Sequence, residues 1–290
     1  MRLFCLAGIS FSVNPFFLGM LALFALAGLL GQGLLAFGVV LLHELAHIGA
    51  AYRLGLRFSE IELLPFGGVA KTEEELALDP GREALVALAG PASNFLLIAL
   101  AWGGHNYHFW SWESCRFFWH LNLSMAVFNL LPLLPLDGGR IYRAGLAGKV
   151  GLKKATLKAA VWGQAGGLII AVLGIVGLIL KIWGLEIFML GAFLFYAAGK
   201  EKKALAYLWL KYLLQKEQEL ERAKMLPAFW GVVGEQVVLG EIVQNFLPRR
   251  FNLVLVNGAD CRIKGMVGEN KLLQALQAYG YNYPVGRLLE

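Results

Sequence analysis

His43-Glu44-Leu45-Ala46-His47 places two imidazoles four residues apart with a carboxylate between them. On a helix of 3.6 residues per turn that spacing puts both rings on one face, where their neutral nitrogens can bind one Zn²⁺. Glu44 then stands beside the ion, able to take the proton of a water whose acidity the metal raises and later to return one to a leaving amine. The chemistry implied is peptide-bond hydrolysis. A catalytic zinc takes three protein ligands and leaves a fourth position for water. Asp137 is the candidate for the third, because it follows Asn129-Leu-Leu-Pro132-Leu-Leu-Pro135-Leu136. The two prolines remove backbone donors and are expected to end the preceding helix at the carboxylate, and Gly138-Gly139 to allow a tight turn beyond it. The competing reading of Asp137 is a helix-ending residue without a ligand role.

The elements that must carry these residues are membrane helices. Of the 290 residues, 58% are hydrophobic and only 16% charged, and the mean hydropathy is +0.61, all far from a soluble domain. Six spans are predicted, at residues 15–30, 33–52, 84–102, 117–135, 159–180 and 187–199. The first apolar stretch is read as a retained helix, since it runs on without a small-residue cleavage site. The histidine motif lies in the second span. An ionisable group at the bilayer centre costs at least about 2.5 kcal/mol, so three within five residues require a compensating partner, which a metal supplies.

Charge sets the orientation. Arg53, Arg57, Lys71 and Arg82 precede the third span, and Arg140, Arg143, Lys149, Lys153, Lys154 and Lys158 follow the fourth, whereas the opposite connections hold Arg116 and Lys181. The basic loops and both termini are therefore expected on the cytoplasmic side of an integral membrane protein. The net charge of +6 is explained by this bias and by lipid contact, and not by nucleic acid. Cys5, Cys115 and Cys261 are far apart and form neither a disulfide framework nor a thiolate metal site. Residues 58–71, with Pro65, Gly67 and Gly68, read as strands or a re-entrant hairpin, which survives at membrane depth where protein or a wet cavity surrounds it.

Beyond Lys200 charges become dense, interleaved with apolar residues at helical spacing. After Pro227 the pattern is that of a small α/β unit: a helix at 239–246, a strand at 253–256, an Asn257-Gly258 turn, a strand at 263–267 and a helix at 269–279. The organisation expected is a membrane metalloprotease domain at 1–199, an amphipathic linker helix at 200–226 and a cytoplasmic domain at 227–290.

With these residues in view, the chain resembles the site-2 proteases, whose HExxH helix is matched by His43 to His47 and whose NxxPxxPLDG segment is matched by Asn129 to Gly138. Gly90-Pro91-Ala92-Ser93-Asn94 is similar to the family's GPxxN element, and Phe66-Gly67-Gly68 to its membrane-inserted strands. The resemblance covers residues 3–146. It implies a polytopic α-helical membrane protein of about six spans with a membrane-associated β-hairpin, one Zn²⁺ per chain, and cleavage of a membrane-associated protein near the cytoplasmic face. Likeness to the sporulation members of the family implies pro-sigma-K as substrate, membrane-protein inhibitors, and the outer forespore membrane of a spore-forming bacterium. The tail after Trp230 is similar to one cystathionine-beta-synthase-type (CBS) repeat, a module that pairs and binds adenine nucleotides. A single copy would need a second chain, which implies a homo-oligomer. Gly268 and Lys271 stand where that module usually has a Ser/Thr and an Asp, which weakens the expectation of ATP or another adenine nucleotide.

Asn94 and Asn129 have two readings, as donors to a substrate carbonyl or oxyanion and as interhelical hydrogen-bonding residues. Phe66, Gly67 and Gly68 could offer a strand edge that holds substrate extended, or form a structural plug. His105, His108 and His120 fall near the opposite face and share no ligand spacing with the motif. A membrane protein that binds or transports divalent metal would also carry intramembrane ligands. Glu44 discriminates, because transport needs no general base between the histidines. An inactive scaffold is the third reading.

Overall fold

A computed structural model describes residues 2–6, 9–13, 15–56, 58–64, 67–72, 76, 79–107, 112–223, 227–246, 250–258 and 262–289. The chain divides into two compact units, Met1–Ala77 with Gly81–Tyr142, and Leu78–Pro80 with Arg143–Glu290.

The first unit opens with a hairpin of β1 (Arg2–Leu6) and β2 (Ile9–Val13). The Ile-Ser-Phe-Ser-Val alternation of β2 has the period of a strand. The apolar N-terminus is thus strand before it is helix, and the helix α1 (Pro15–Leu26) is shorter than the span predicted there. Gly28, at φ 71°, ends α1: its N–H and that of Leu29 donate back to the Ala25 and Phe24 carbonyls, a left-handed cap that glycine adopts without strain. The chain reverses into α2 (Leu30–Arg53), and Phe24 lies against Gly33 of α2. Gly55, at φ 79°, closes α2 in the same way, with Gly55 N–H on Tyr52 O and Leu56 N–H on Ala51 O. The apolar contact that accompanies such a cap is present, since Ala51 and Leu56 are buried together with Val86.

β3 (Phe58–Leu64) pairs parallel with β2 and antiparallel with β4 (Gly67–Thr72), giving a sheet of order β1-β2-β3-β4 with β4 at its edge and in contact with α2. The hairpin expected at 58–71 is therefore present, while Phe66 lies outside the described residues. α3 (Pro80–Asn106) and α4 (Trp112–Asn129) follow, and a turn at 130–136 leads into α5 (Asp137–Val150). Gly138 and Gly139 do not form the turn predicted for them. They lie in the first helical turn of α5, and a Cβ on Gly139 would stand 2.6 Å from Leu133 O, while one on Gly138 would strike Leu130. Their missing side chains let α5 begin directly against the backbone of the preceding turn.

Side-chain burial in these helices is inverted relative to a protein in water. In α2 His43 is buried while Leu34, Leu41, Leu42 and Leu45 are exposed; in α3 Glu83 and Asn94 are buried while Leu85, Leu96 and Leu100 are exposed. An apolar solvent outside and polar groups within is the arrangement lipid imposes. Among the described residues, α2, α3 and α6 (Leu152–Ile179) are long and apolar enough to cross a membrane.

In the second unit α6 packs along α7 (Leu185–Ala223). Gly167, Gly174 and Gly191 lie so close to the opposing backbone that a Cβ on any of them would collide with it, the close approach typical of small residues between membrane helices. The composition change at Lys200 falls inside α7, which runs on without a break. The α/β part has β5 (Ala228–Gly234), α8 (Leu239–Gln244), β6 (Phe251–Asn257), β7 (Ile263–Gly268) and α9 (Glu269–Tyr279), with sheet order β5-β6-β7. β5, parallel to β6, was not expected. Val254, Val256, Val267, Leu239 and Leu272 form its core.

Candidate metal centre

His43 and His47 extend from one face of α2 by their spacing of four, and Asp137 from the first turn of α5. His43 is 2% exposed and Asp137 8%. The three ligand-type atoms form a nearly equilateral triangle: His43 Nε2 to His47 Nε2 is 3.1 Å, and each lies 3.2 Å from Asp137 Oδ2. A tetrahedral zinc shell with ligands at 2.0–2.1 Å has edges of about 3.3 Å. Two imidazole nitrogens and one carboxylate oxygen are also the donor types zinc prefers. The residues present therefore fit a divalent metal.

The remaining ring nitrogens are engaged. His47 Nδ1–H donates to Val86 O at 2.7 Å, and His43 Nδ1 is 3.3 Å from Asn94 Oδ1. Asn94 is fully buried, and its Nδ2 donates to Asn122 O of α4 at 3.4 Å. Glu44 is half-buried on the helix face next to His43. Asn129, the last residue of α4, turns its Nδ2 back to Met125 O at 3.1 Å within its own helix. Gly67 and Gly68 open the edge strand β4.

Two contributors were missed from the sequence. Val86 acts through a carbonyl, which has no side-chain signature. Gly90 acts through absence: a Cβ there would press on His47 Nε2 and stand 2.6 Å from His43 Nε2. The one signal for Gly90 is its spacing of four from Asn94 on the same helix face, and the sequence offers none for the Val86 carbonyl.

A His-His-Asp group fit for a divalent ion, carried on helices that turn leucines outward, describes a membrane protein with a metal centre. The model of peptidase family M50 matches residues 32–110 and 105–174, which include every residue of that centre. Over 175 residues the chain is 32% identical to a zinc metalloprotease of Methanocaldococcus jannaschii, covering 59% of this chain and 49% of that one. Over 129 residues it is 35% identical to stage IV sporulation protein FB of Bacillus subtilis, covering 44% and 45%. The chain thus spans about half the length of these curated relatives. Among solved structures, the site-2 protease from Methanocaldococcus jannaschii matches with a TM-score of 0.55 and 28% identity over 70% of this chain and 94% of that one. The chain belongs to peptidase family M50 and has the site-2 protease fold.

Proposed function

We propose that this chain is an intramembrane zinc endopeptidase that hydrolyses a peptide bond of a membrane-associated protein near the cytoplasmic face. The observation that carries the reading is the triangle of His43 Nε2, His47 Nε2 and Asp137 Oδ2 with sides of 3.1–3.2 Å, buried within a fold of the M50 family. Those three residues hold the ion, which when bound supplies Lewis acidity and lowers the pKa of water. Glu44 accepts the proton of the attacking water and delivers it to the departing amine nitrogen. The edge strand β4, which begins at Gly67 and Gly68, holds the substrate extended by main-chain hydrogen bonds; the third residue expected in this role, Phe66, lies outside the described residues. An extended segment exposes the scissile carbonyl that a helix would keep bonded.

Both termini and the basic connections face the cytoplasm in this reading. The likeness to stage IV sporulation protein FB makes the pro-sequence of pro-sigma-K the first substrate to test, with the outer forespore membrane as the location. The C-terminal unit is the regulatory or docking part. Its pairing between chains and its binding of ATP are supported by the CBS-like pattern, and membrane-protein inhibitors by the likeness to stage IV sporulation protein FB. Lys271, which departs from that pattern, donates to Leu288 O at 2.8 Å.

The test is cleavage of pro-sigma-K and of unrelated membrane-anchored reporters by the wild type and by Glu44→Gln, with zinc measured in both. Glu44→Gln is expected to retain one zinc per chain and to lose activity by about 100- to 10,000-fold. Undiminished proteolysis by Glu44→Gln would refute the base. Metal flux without any cleavage would establish the transport alternative.

A further inference from the structure

Three residues of α3 at intervals of four, Val86, Gly90 and Asn94, face both histidines of α2. The protonation of each ring can be read from its partners. Asn122 O and Val86 O are carbonyls and can only accept. Asn94 therefore donates to Asn122 O through Nδ2, at 3.4 Å, and turns Oδ1 to His43 Nδ1, at 3.3 Å. An acceptor at that place calls for a proton on His43 Nδ1, and in the neutral ring, the form that binds a metal, this leaves the lone pair on Nε2. The same reasoning applies to His47, whose Nδ1–H is held by Val86 O at 2.7 Å. Both Nε2 lone pairs are then directed into the triangle with Asp137.

We propose that Asn94 is a positioning residue for the metal centre: its Oδ1 fixes the tautomer and ring plane of His43, while Asn122 O fixes the orientation of the Asn94 amide itself. Asn94 thereby ties α2, α3 and α4 together at the site, and Gly90 keeps α3 from filling the space between the ring nitrogens. This assigns Asn94 to the histidine and away from the substrate carbonyl. A backbone acceptor serves His47 and needs no particular side chain at position 86, whereas His43 depends on one amide. The inference rests on the zinc reading above.

The test is zinc affinity, measured by chelator competition on the full chain purified in detergent, for the wild type, Asn94→Leu and Asn94→Asp. Leucine keeps the volume without an acceptor, and aspartate keeps an acceptor at the same place. Asn94→Leu is expected to bind zinc about 10- to 100-fold more weakly, the usual cost of losing an outer partner of a ligating histidine, and Asn94→Asp to recover most of that loss. In the cobalt-loaded protein the visible ligand-field bands should shift in Asn94→Leu and return in Asn94→Asp. If leucine prevents folding, Asn94→Ala adds no atoms and carries the same comparison with Asn94→Asp. Wild-type zinc affinity in Asn94→Leu or Asn94→Ala, with cleavage lost, would overturn the proposal and return Asn94 to substrate binding. Wild-type protein that binds no zinc would overturn the zinc reading and this inference together, an outcome distinct from a loss confined to the variants.

Discussion

Three ligand atoms converging at 3.1–3.2 Å bring lone pairs against one another, and a cation among them turns that repulsion into attraction. Asp137 supplies the formal negative charge of the set. Asp137→Asn keeps the shape and one oxygen while removing the charge, so it isolates the electrostatic contribution. It is expected to weaken zinc binding beyond the roughly 10- to 100-fold that an outer partner costs, and Asp137→Ala to abolish stoichiometric zinc. Metal analysis after dialysis against a chelator measures both, and full zinc in Asp137→Ala would remove this residue from the ligand set. The juxtaposition of His43 and His47 was legible in the sequence because helical periodicity is local. Asp137 was reached through the prolines before it. What orients the rings was not legible: Val86 contributes a carbonyl, Gly90 an absence, and the partner of Asn94 is decided by how α2, α3 and α4 pack, which no short spacing encodes.

The helix α5 shows what an element must do to deliver one carboxylate. Its first turn carries Asp137, Gly138 and Gly139, pressed onto the backbone of residues 130–134, so the ligand's position depends on two side chains that are missing. Gly139→Ala places a carbon 2.6 Å from Leu133 O, and backbone must yield. Overpacking of this kind costs about 1–3 kcal/mol and displaces Asp137 two residues away, so both melting temperature and zinc affinity are expected to fall. Gly145, in the same helix, has nothing within 4 Å of a Cβ. Gly145→Ala should raise stability by up to about 1 kcal/mol, the helix-propensity difference, with zinc affinity unchanged. A thermal melt in detergent with a chelator titration compares the pair, and equal losses in both would deny the first turn its special role. Element type was readable where the period was clean, as in β7 and α9. β1 and β2 were hidden in an apolar run that merges with α1, and β5 by Gly231 and Gly234, which dilute a strand pattern. The turn expected of Gly138-Gly139 failed because a glycine pair signals close approach as well as chain reversal.

At the scale of the molecule, lipid as solvent explains both the inverted burial of α2 and α3 and the tight seam of α6 with α7, and it makes charge the determinant of orientation. The connection between α5 and α6 is flanked by Lys149, Lys153, Lys154 and Lys158, whereas that between α6 and α7 holds Lys181 alone. α6 is long and apolar enough to cross a membrane; a crossing would put its two ends on opposite sides, and the lysine bias predicts the Lys149 end in the cytoplasm. Lys149 and Lys181 are both exposed, so single cysteines there, in a chain whose Cys5, Cys115 and Cys261 are replaced, report the orientation directly. A membrane-impermeant maleimide applied to intact cells is expected to label Lys181→Cys and to spare Lys149→Cys, with the pattern reversed in inverted vesicles. Labelling of Lys149→Cys from outside the cell, with Lys181→Cys spared, would overturn the orientation that the lysine bias predicts for α6.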